Sequence, residues 1–160
     1  MKVLIVSDSH GRNQYLGQVI KKVSPVDLII HLGDLEGSES FLRENSSCPM
    51  EIVSGNNDYS TDFEREKEIF IGNYKVLLTH GHRYNVHYGT EKIKDWAREN
   101  GASIVMFGHT HLPLIDLSSD IIALNPGSIS LPRQEGHRPS YLIMEIDREG
   151  KAHFTLNYVK

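Results

Sequence analysis

The chain has 160 residues, 39% of them apolar and 24% charged, with 17 Lys+Arg against 21 Asp+Glu. That composition suits a single globular domain over 1–160, because two domains would each have a thin core; its mildly acidic balance excludes an overall basic nucleic-acid or membrane-surface protein, though not a local basic patch. The lone Cys48 excludes an internal disulfide and a multi-cysteine metal site, and no apolar run reaches the length of a membrane helix or a signal-peptide core, so a cytoplasmic protein is expected.

Lys2–Val6 is a continuous apolar run that suits a strand buried on both faces. A helix is predicted over 13–23, with Leu16, Val19, Ile20 and Val23 on one face and Ser24-Pro25 as its stop. Asp27–Leu32 reads as a second buried strand, Ser38–Glu44 as a short helix, and Glu51–Val53 as a third strand. This β-α-β-α-β order predicts a parallel sheet flanked by helices. Ile69–Ile71 and Tyr74–Thr79, separated by Gly72-Asn73, read as a hairpin. A helix over 90–100 follows, with Thr90 as N-cap, Ile93, Trp96 and Ala97 as its apolar face, and Gly101 as its stop. Ser103–Phe107 is another apolar strand. Leu112–Leu117 with Ile121–Leu124, and Tyr141–Ile146 with His153–Val159, read as antiparallel hairpins that add a second sheet.

The placement of polar residues is more telling than their number. Five apolar strands end in polar clusters: Asp8/His10, Asp34, Asn56/Asn57/Asp58, His80/His82 and His109/His111. Ligands of open α/β sheets bind at the carboxyl ends of the strands, where such clusters can converge on one crevice. A glycine accompanies every cluster and lets the chain pass close to a ligand. The cluster residues offer carboxylates, imidazoles and an amide oxygen but no thiolate, a donor set for Mn, Fe, Co, Ni or Zn rather than soft ions. Seven candidate ligands exceed one tetrahedral site and suit two ions sharing a carboxylate, the recurrent arrangement for phosphoryl and hydrolytic chemistry. Two divalent ions, two aspartates and a hydroxide would leave the site positive, favouring an anionic phosphate.

Asp8-x-His10, Gly33-Asp34, Gly55-Asn56, His80-Gly81-His82 and Gly108-His109-Thr110-His111, in this order, resemble the calcineurin-like metallophosphoesterases. The short chain and the Asn125-Pro-Gly-Ser128 segment are similar to their small YfcE-like phosphodiesterase branch. The resemblance runs from Lys2 to about Arg133 and implies a four-layer α-β-β-α sandwich of two mixed sheets. It also implies roles: Asp8, His10 and His111 on a first metal, Asn56, His80 and His109 on a second, and Asp34 bridging both. A bridging hydroxide would attack phosphorus in line with the leaving oxygen. Manganese is the ion the family favours, with nickel, magnesium, zinc or iron as alternatives. One position departs from many relatives, which carry histidine after the Gly-Asn pair. Here it is Asn57, the candidate catalytic residue, which can donate a hydrogen bond but not act as a general acid at neutral pH. That favours diesters or activated esters. The expected activity is therefore phosphodiester hydrolysis on a small substrate, with no membrane and no expected nucleic-acid partner, in a homodimer or tetramer. Alternatives are a phosphomonoesterase or nucleotidase, a non-catalytic scaffold like the retromer subunit of the same fold, and a metal-storage or sensing protein.

Other residues have plainer readings. His31 lies inside an apolar strand and reads as a hydrogen-bonded core histidine; Asp58 reads as a loop cap. His82 is open between support of a ligand, loop packing and catalysis. His87, His137 and His153 lack a motif and default to surface or packing roles. Arg133, His137 and Arg138 read as a solvated loop that could also meet an anion, and Arg65–Glu68 and Lys92–Arg98 as exposed, alternately charged faces.

Overall fold

The computed structural model describes residues 1–160. Its elements run β1 (Lys2–Val6), α1 (Gln14–Val23), β2 (Leu28–His31), α2 (Ser38–Asn45), β3 (Met50–Ile52), β4 (Glu66–Ile71), β5 (Tyr74–Thr79), a 3-10 turn (His82–Tyr84), α3 (Glu91–Glu99), β6 (Ile104–Met106), β7 (Pro113–Asp116), β8 (Ile122–Pro126), β9 (Ser140–Ile146) and β10 (Ala152–Tyr158). The strands form two five-stranded mixed sheets, ordered β10-β9-β1-β2-β3 and β4-β5-β6-β8-β7. No helix is long and apolar enough to cross a membrane.

The four layers follow from the alternation of side chains along each strand. Val3 and Ile5 of β1 point between the sheets, with Ile30, Val76, Leu78, Ile104 and Met106. Leu4 and Val6 point the other way, onto Leu16 and Ile20 of α1 and Leu42 of α2. In the second sheet Leu77 and Val105 face Ile93 and Ala97 of α3. Central strands apolar on both faces are what this sandwich demands, and the helical face predicted for α1 is the buried one.

Four expectations change. The two C-terminal hairpins do not make a sheet of their own: β9-β10 extends the first sheet through β1, and β7-β8 extends the second through β6. Glu66, Lys67 and Glu68 are not a free charged face but part of β4, whose Lys67 and Glu68 pair with Glu51 and Lys75 at 2.9 Å each. In α3, Trp96 packs half-buried against the core as expected, but Lys94, expected on an exposed face, is buried too; its side chain is 2% exposed and its ammonium lies 2.6 Å from Asp116 of β7. Thr90 gives no side-chain cap and turns its hydroxyl to the same carboxylate at 3.4 Å.

His31 is fully buried, with Nε2 paired to Ser9 Oγ at 2.9 Å. Burial holds its pKa down to about 4 against the nearby aspartates. The unfolded chain therefore takes up a proton at this residue near pH 6.5 that the folded chain refuses until about pH 4. Stability contributed by neutral His31 is present above that window and lost as pH falls through it. On metal-free protein, His31→Gln should flatten the fall in thermal stability between pH 6.5 and 4.5 by roughly 2 kcal/mol relative to wild type, measured by calorimetry across that range.

Candidate metal centre

The strand-end loops are tied to each other before any side chain is considered. Asp8 N–H donates to the Gly33 carbonyl at 3.0 Å, His10 N–H to Asp34 at 3.0 Å, and Gly108 N–H to His80 at 3.0 Å. Five of the expected ligands hold a left-handed backbone: Asp8 (φ 55), His10 (φ 47), Asp34 (φ 54), His109 (φ 68) and His111 (φ 59). Asp and His tolerate this region better than most residues but still pay a strain. Here these strained positions sit where the chain leaves the strands and bends at the edge of the sheets. Close approach requires glycine at two of these loops: a Cβ at Gly55 would strike the Asp34 carboxylate, and one at Gly108 would strike Ser7 Oγ.

Asp8 is fully buried. Its Oδ2 accepts from Ser7 Oγ at 2.6 Å and from His109 N–H at 3.1 Å. Its Oδ1 has no hydrogen-bond partner and faces Nε2 of His111 at 3.1 Å, of His10 at 3.9 Å and of His80 at 3.9 Å. Asp34 Oδ2 lies 3.4 Å from His80 Nε2 and 3.8 Å from His10 Nε2. Two overlapping triads result, Asp8/His10/His111 and Asp8/Asp34/His80.

The imidazoles are oriented from behind. His80 Nδ1 donates to the Leu32 carbonyl at 2.7 Å, His111 Nδ1 to the Leu131 carbonyl at 2.7 Å, and His10 Nδ1 to Glu36 Oε2 at 2.9 Å. Each bond fixes the tautomer that leaves Nε2 free to ligate. His80 Nε2 is buried without a partner, like Asp8 Oδ1. Buried polar atoms are normally satisfied, so two orphans aimed at one point, a nitrogen lone pair and a carboxylate oxygen, fit a pair of divalent ions.

Electrostatics agree. Burial opposes ionisation of Asp8, but the imidazoles of His111 and His80 beside it outweigh burial and hold its pKa below the ordinary value. Burial likewise opposes ionisation of Asp34, but the nearby His80 imidazole and the hydrogen bonds from Asn57 overcome it and hold the pKa far below the carboxylate range. His80 and His111 are raised, despite burial, by the same aspartates. Protons and metal ions therefore compete for these nitrogens. His109 differs: burial, then His80 and His87, hold it down to about 4.

The structure brings Asp8, His10, Asp34, His80 and His111 into the triads. His109 sits beside them, its ring centroid 5.1 Å from that of His80. Asn56 is exposed and makes no side-chain hydrogen bond. Asn57 donates from its backbone to Asp34 Oδ1 at 2.9 Å and from Nδ2 to Asp34 Oδ2 at 2.8 Å. Asp58 caps the loop as read, accepting from Leu35, Glu36 and Gly55 N–H groups. Two residues escaped the sequence reading. Glu36 backs His10, and a carboxylate two residues after Asp34 was its only signal. His87 packs its ring 4.8 Å from that of His109, and nothing local in the sequence announces that contact. The Asn125-Pro-Gly-Ser128 segment is a buckle: Asn125 Nδ2 donates to the Gly108 carbonyl at 2.9 Å, and Ser128 Oγ to the Asp8 carbonyl at 2.8 Å.

A two-sheet sandwich with a paired carboxylate–imidazole centre on its strand-end edge defines a dinuclear metallohydrolase architecture. Residues 1–149 match the calcineurin-like phosphoesterase superfamily domain. The chain is 37% identical over 150 residues to the probable metallophosphoesterase YsnB of Bacillus subtilis, covering 93% of this chain and 86% of that one. It is 26% identical over 172 residues to phosphodiesterase YfcE of Escherichia coli K12, covering 92% and 89%. A crystal structure of a predicted phosphoesterase from Streptococcus pneumoniae superposes with a TM-score of 0.78 at 30% identity, over 99% of this chain and 97% of that one. The chain belongs to the calcineurin-like metallophosphoesterase superfamily and to its small YfcE-like branch.

Removing the carboxylate behind His10 should loosen the metal without touching a ligand. Glu36→Ala should weaken the affinity for one of two bound ions by about tenfold while leaving the other unchanged, as read by chelator competition. Equal affinity for both ions in wild type and variant would show that Glu36 does not support the centre.

Proposed function

We propose that the protein is a metal-dependent phosphodiesterase acting on a small diester. The observation that carries the reading is the convergence of the unpartnered Asp8 Oδ1 with the Nε2 atoms of His10, His80 and His111, three imidazoles whose outer nitrogens are already engaged. Asp8, His10 and His111 would hold one ion, Asn56, His80 and His109 the second, and Asp34 would be shared. Two divalent ions in such a centre neutralise phosphate charge and lower the pKa of a water molecule. Manganese is the preferred ion in this reading, and a homodimer or tetramer the working form.

The preference for diesters rests on Asn57. A monoester with a poor leaving group needs a proton delivered to the departing oxygen. The Asn57 side-chain amide is not acidic enough to supply one, and its Nδ2, like its backbone N–H, donates to Asp34. Asn57 thus acts as a positioning residue, holding the Asp34 carboxylate in the orientation the shared role needs. The name of the E. coli relative, a phosphodiesterase, points the same way.

The test uses metal-stripped protein given manganese, nickel, magnesium, zinc or no metal, with bis(p-nitrophenyl) phosphate and p-nitrophenyl phosphate. Diester cleavage should require metal, exceed monoester cleavage, and fall by at least about 100-fold in Asp34→Asn. Faster monoester turnover would replace the diester reading with a phosphatase. No turnover with any ion by folded, metal-loaded protein would move the chain to the scaffold class. In a second experiment Asn57→Ala should lower metal affinity and kcat together by roughly 10-fold. A loss of kcat for esters of poor leaving groups alone, at full metal affinity, would instead make Asn57 a catalytic donor.

A further inference from the structure

Beside the metal centre lies a cleft of about 460 Å³ between the loop after the 3-10 turn and the start of β7. It begins at His87, whose ring packs on His109, and passes Thr110, which sits between His109 and His111. None of the expected ligands lines the cleft; it adjoins the centre through the His87–His109 ring contact, 4.8 Å between centroids, and it is large enough for a ring-sized group.

Its walls decide what it can take. Val86, Phe107, Leu112, Pro113 and Leu114 present carbon surface, and Leu112 is 44% exposed at the rim. The side chains of Thr110, Asn125 and Asp116 in the lining are already hydrogen-bonded within the protein. Thr110 Oγ1 donates to the Leu112 carbonyl and accepts from Leu112 N–H and Asn125 Nδ2. Asn125 uses Nδ2 on Gly108 as well, and its Oδ1 accepts from Gly127 N–H at 2.8 Å. Asp116 accepts from Lys94, Thr90 and Ser118, so its charge is neutralised by a lysine that does not line the cleft. No lysine or arginine lines it. Among the lining side chains, the His87 imidazole, which makes no hydrogen bond in the protein, is the one free to meet a ligand, and it is the one that packs on His109.

We infer that this cleft is the subsite for an uncharged, apolar ester group of the substrate, aryl-sized, with His87 at the junction between that group and the phosphate. A second phosphate or a carboxylate would find no cation there, and a polyol would exchange water for donors and acceptors already paired. The inference rests on the phosphoester reading above and names the substrate class for it: a diester with one aromatic or similarly flat, neutral arm.

Binding separates the two ideas better than turnover does. Zinc-loaded protein with labelled leucine and valine methyl groups is titrated with phenylphosphonate, methylphosphonate and 2-carboxyethylphosphonate, following the methyl resonances and the Kd of each. Phenylphosphonate should bind at least tenfold tighter than either of the others and shift the Leu112, Leu114 and Val86 methyls. Leu112→Asp, a change at an exposed rim, should bring phenylphosphonate down to the methylphosphonate level, and Leu114→Trp, which fills the cleft, should do the same. Equal Kd values for phenyl and methyl probes, a preference that survives both variants, tighter binding of the carboxyethyl probe, or no binding by any of them would overturn the subsite. If the phenyl preference holds while the protein hydrolyses no phosphoester, the cleft stands and the enzyme reading falls. If diesters are cleaved with no phenyl preference, the reverse is true.

Discussion

A carboxylate with nowhere to go organises this molecule. Asp8 closes the central strand of the first sheet, fully buried, and only one of its two oxygens is satisfied by the chain. Taking an anion out of water costs several kcal/mol unless charge and hydrogen bonds replace its hydration. The protein supplies the replacement mostly from far away in sequence. Ser128 and Ser130 hold the Asp8 carbonyl, His109 N–H holds Oδ2, and the imidazoles of His10, His80 and His111 surround Oδ1. Without metal, His80 and His111 compensate by holding protons more tightly, and their pKa values are raised despite burial. The sandwich fold is a means of bringing the ends of two sheets against this one group.

The same requirement explains where the backbone is strained. Left-handed non-glycine residues cost on the order of 1–2 kcal/mol each, and five of them cluster at the centre. A lone loop would relax. These loops cannot, because their N–H groups are locked to the neighbouring loops: Asp8 to Gly33, His10 to Asp34, Gly11 to Leu35, Gly108 to His80. Beneath them run strands with apolar side chains on both faces, buried between the sheets and under the helices. Strain is tolerated because rigid strands over-determine it, and the result is a donor set held ready before a ligand arrives.

How much of this could be read from the chain depends on range. The strands β1, β2, β5 and β6 are legible because each is an apolar run closed by a glycine and a polar cluster, a pattern that one-dimensional spacing carries. Asp8, His10, Asp34, His80 and His111 follow directly as the residues at those ends. What was illegible is set by contacts across the fold. Nothing in the order of residues says that β9-β10 joins β1 while β7-β8 joins β6, since either hairpin could close either sheet. Lys94 reads as a charged helix face until Asp116, on a strand 22 residues later, neutralises it. Glu36 and Asn57 gain meaning only once His10 and Asp34 are seen beside them, and His87 only once the loop after the 3-10 turn folds back on His109.

His109 shows how the centre and the cleft become one device. Unlike His10, His80 and His111, it has no backbone or carboxylate partner behind its ring; instead it is set among the rings of His80, His82 and His87. Burial and two neighbouring imidazoles hold its pKa down to about 4, so at neutral pH it is an unprotonated donor with no competing proton to lose. Its orientation, however, is set by packing rather than by a hydrogen bond, and one of the packing surfaces is His87, which also opens the cleft. The His87 and His109 rings, 4.8 Å apart between centroids, are thus the contact through which the cleft adjoins the centre. Under the proposed subsite, a group entering the cleft would meet His87 and, through it, the ring of His109, which lacks the hydrogen bond that orients His10, His80 and His111 from behind.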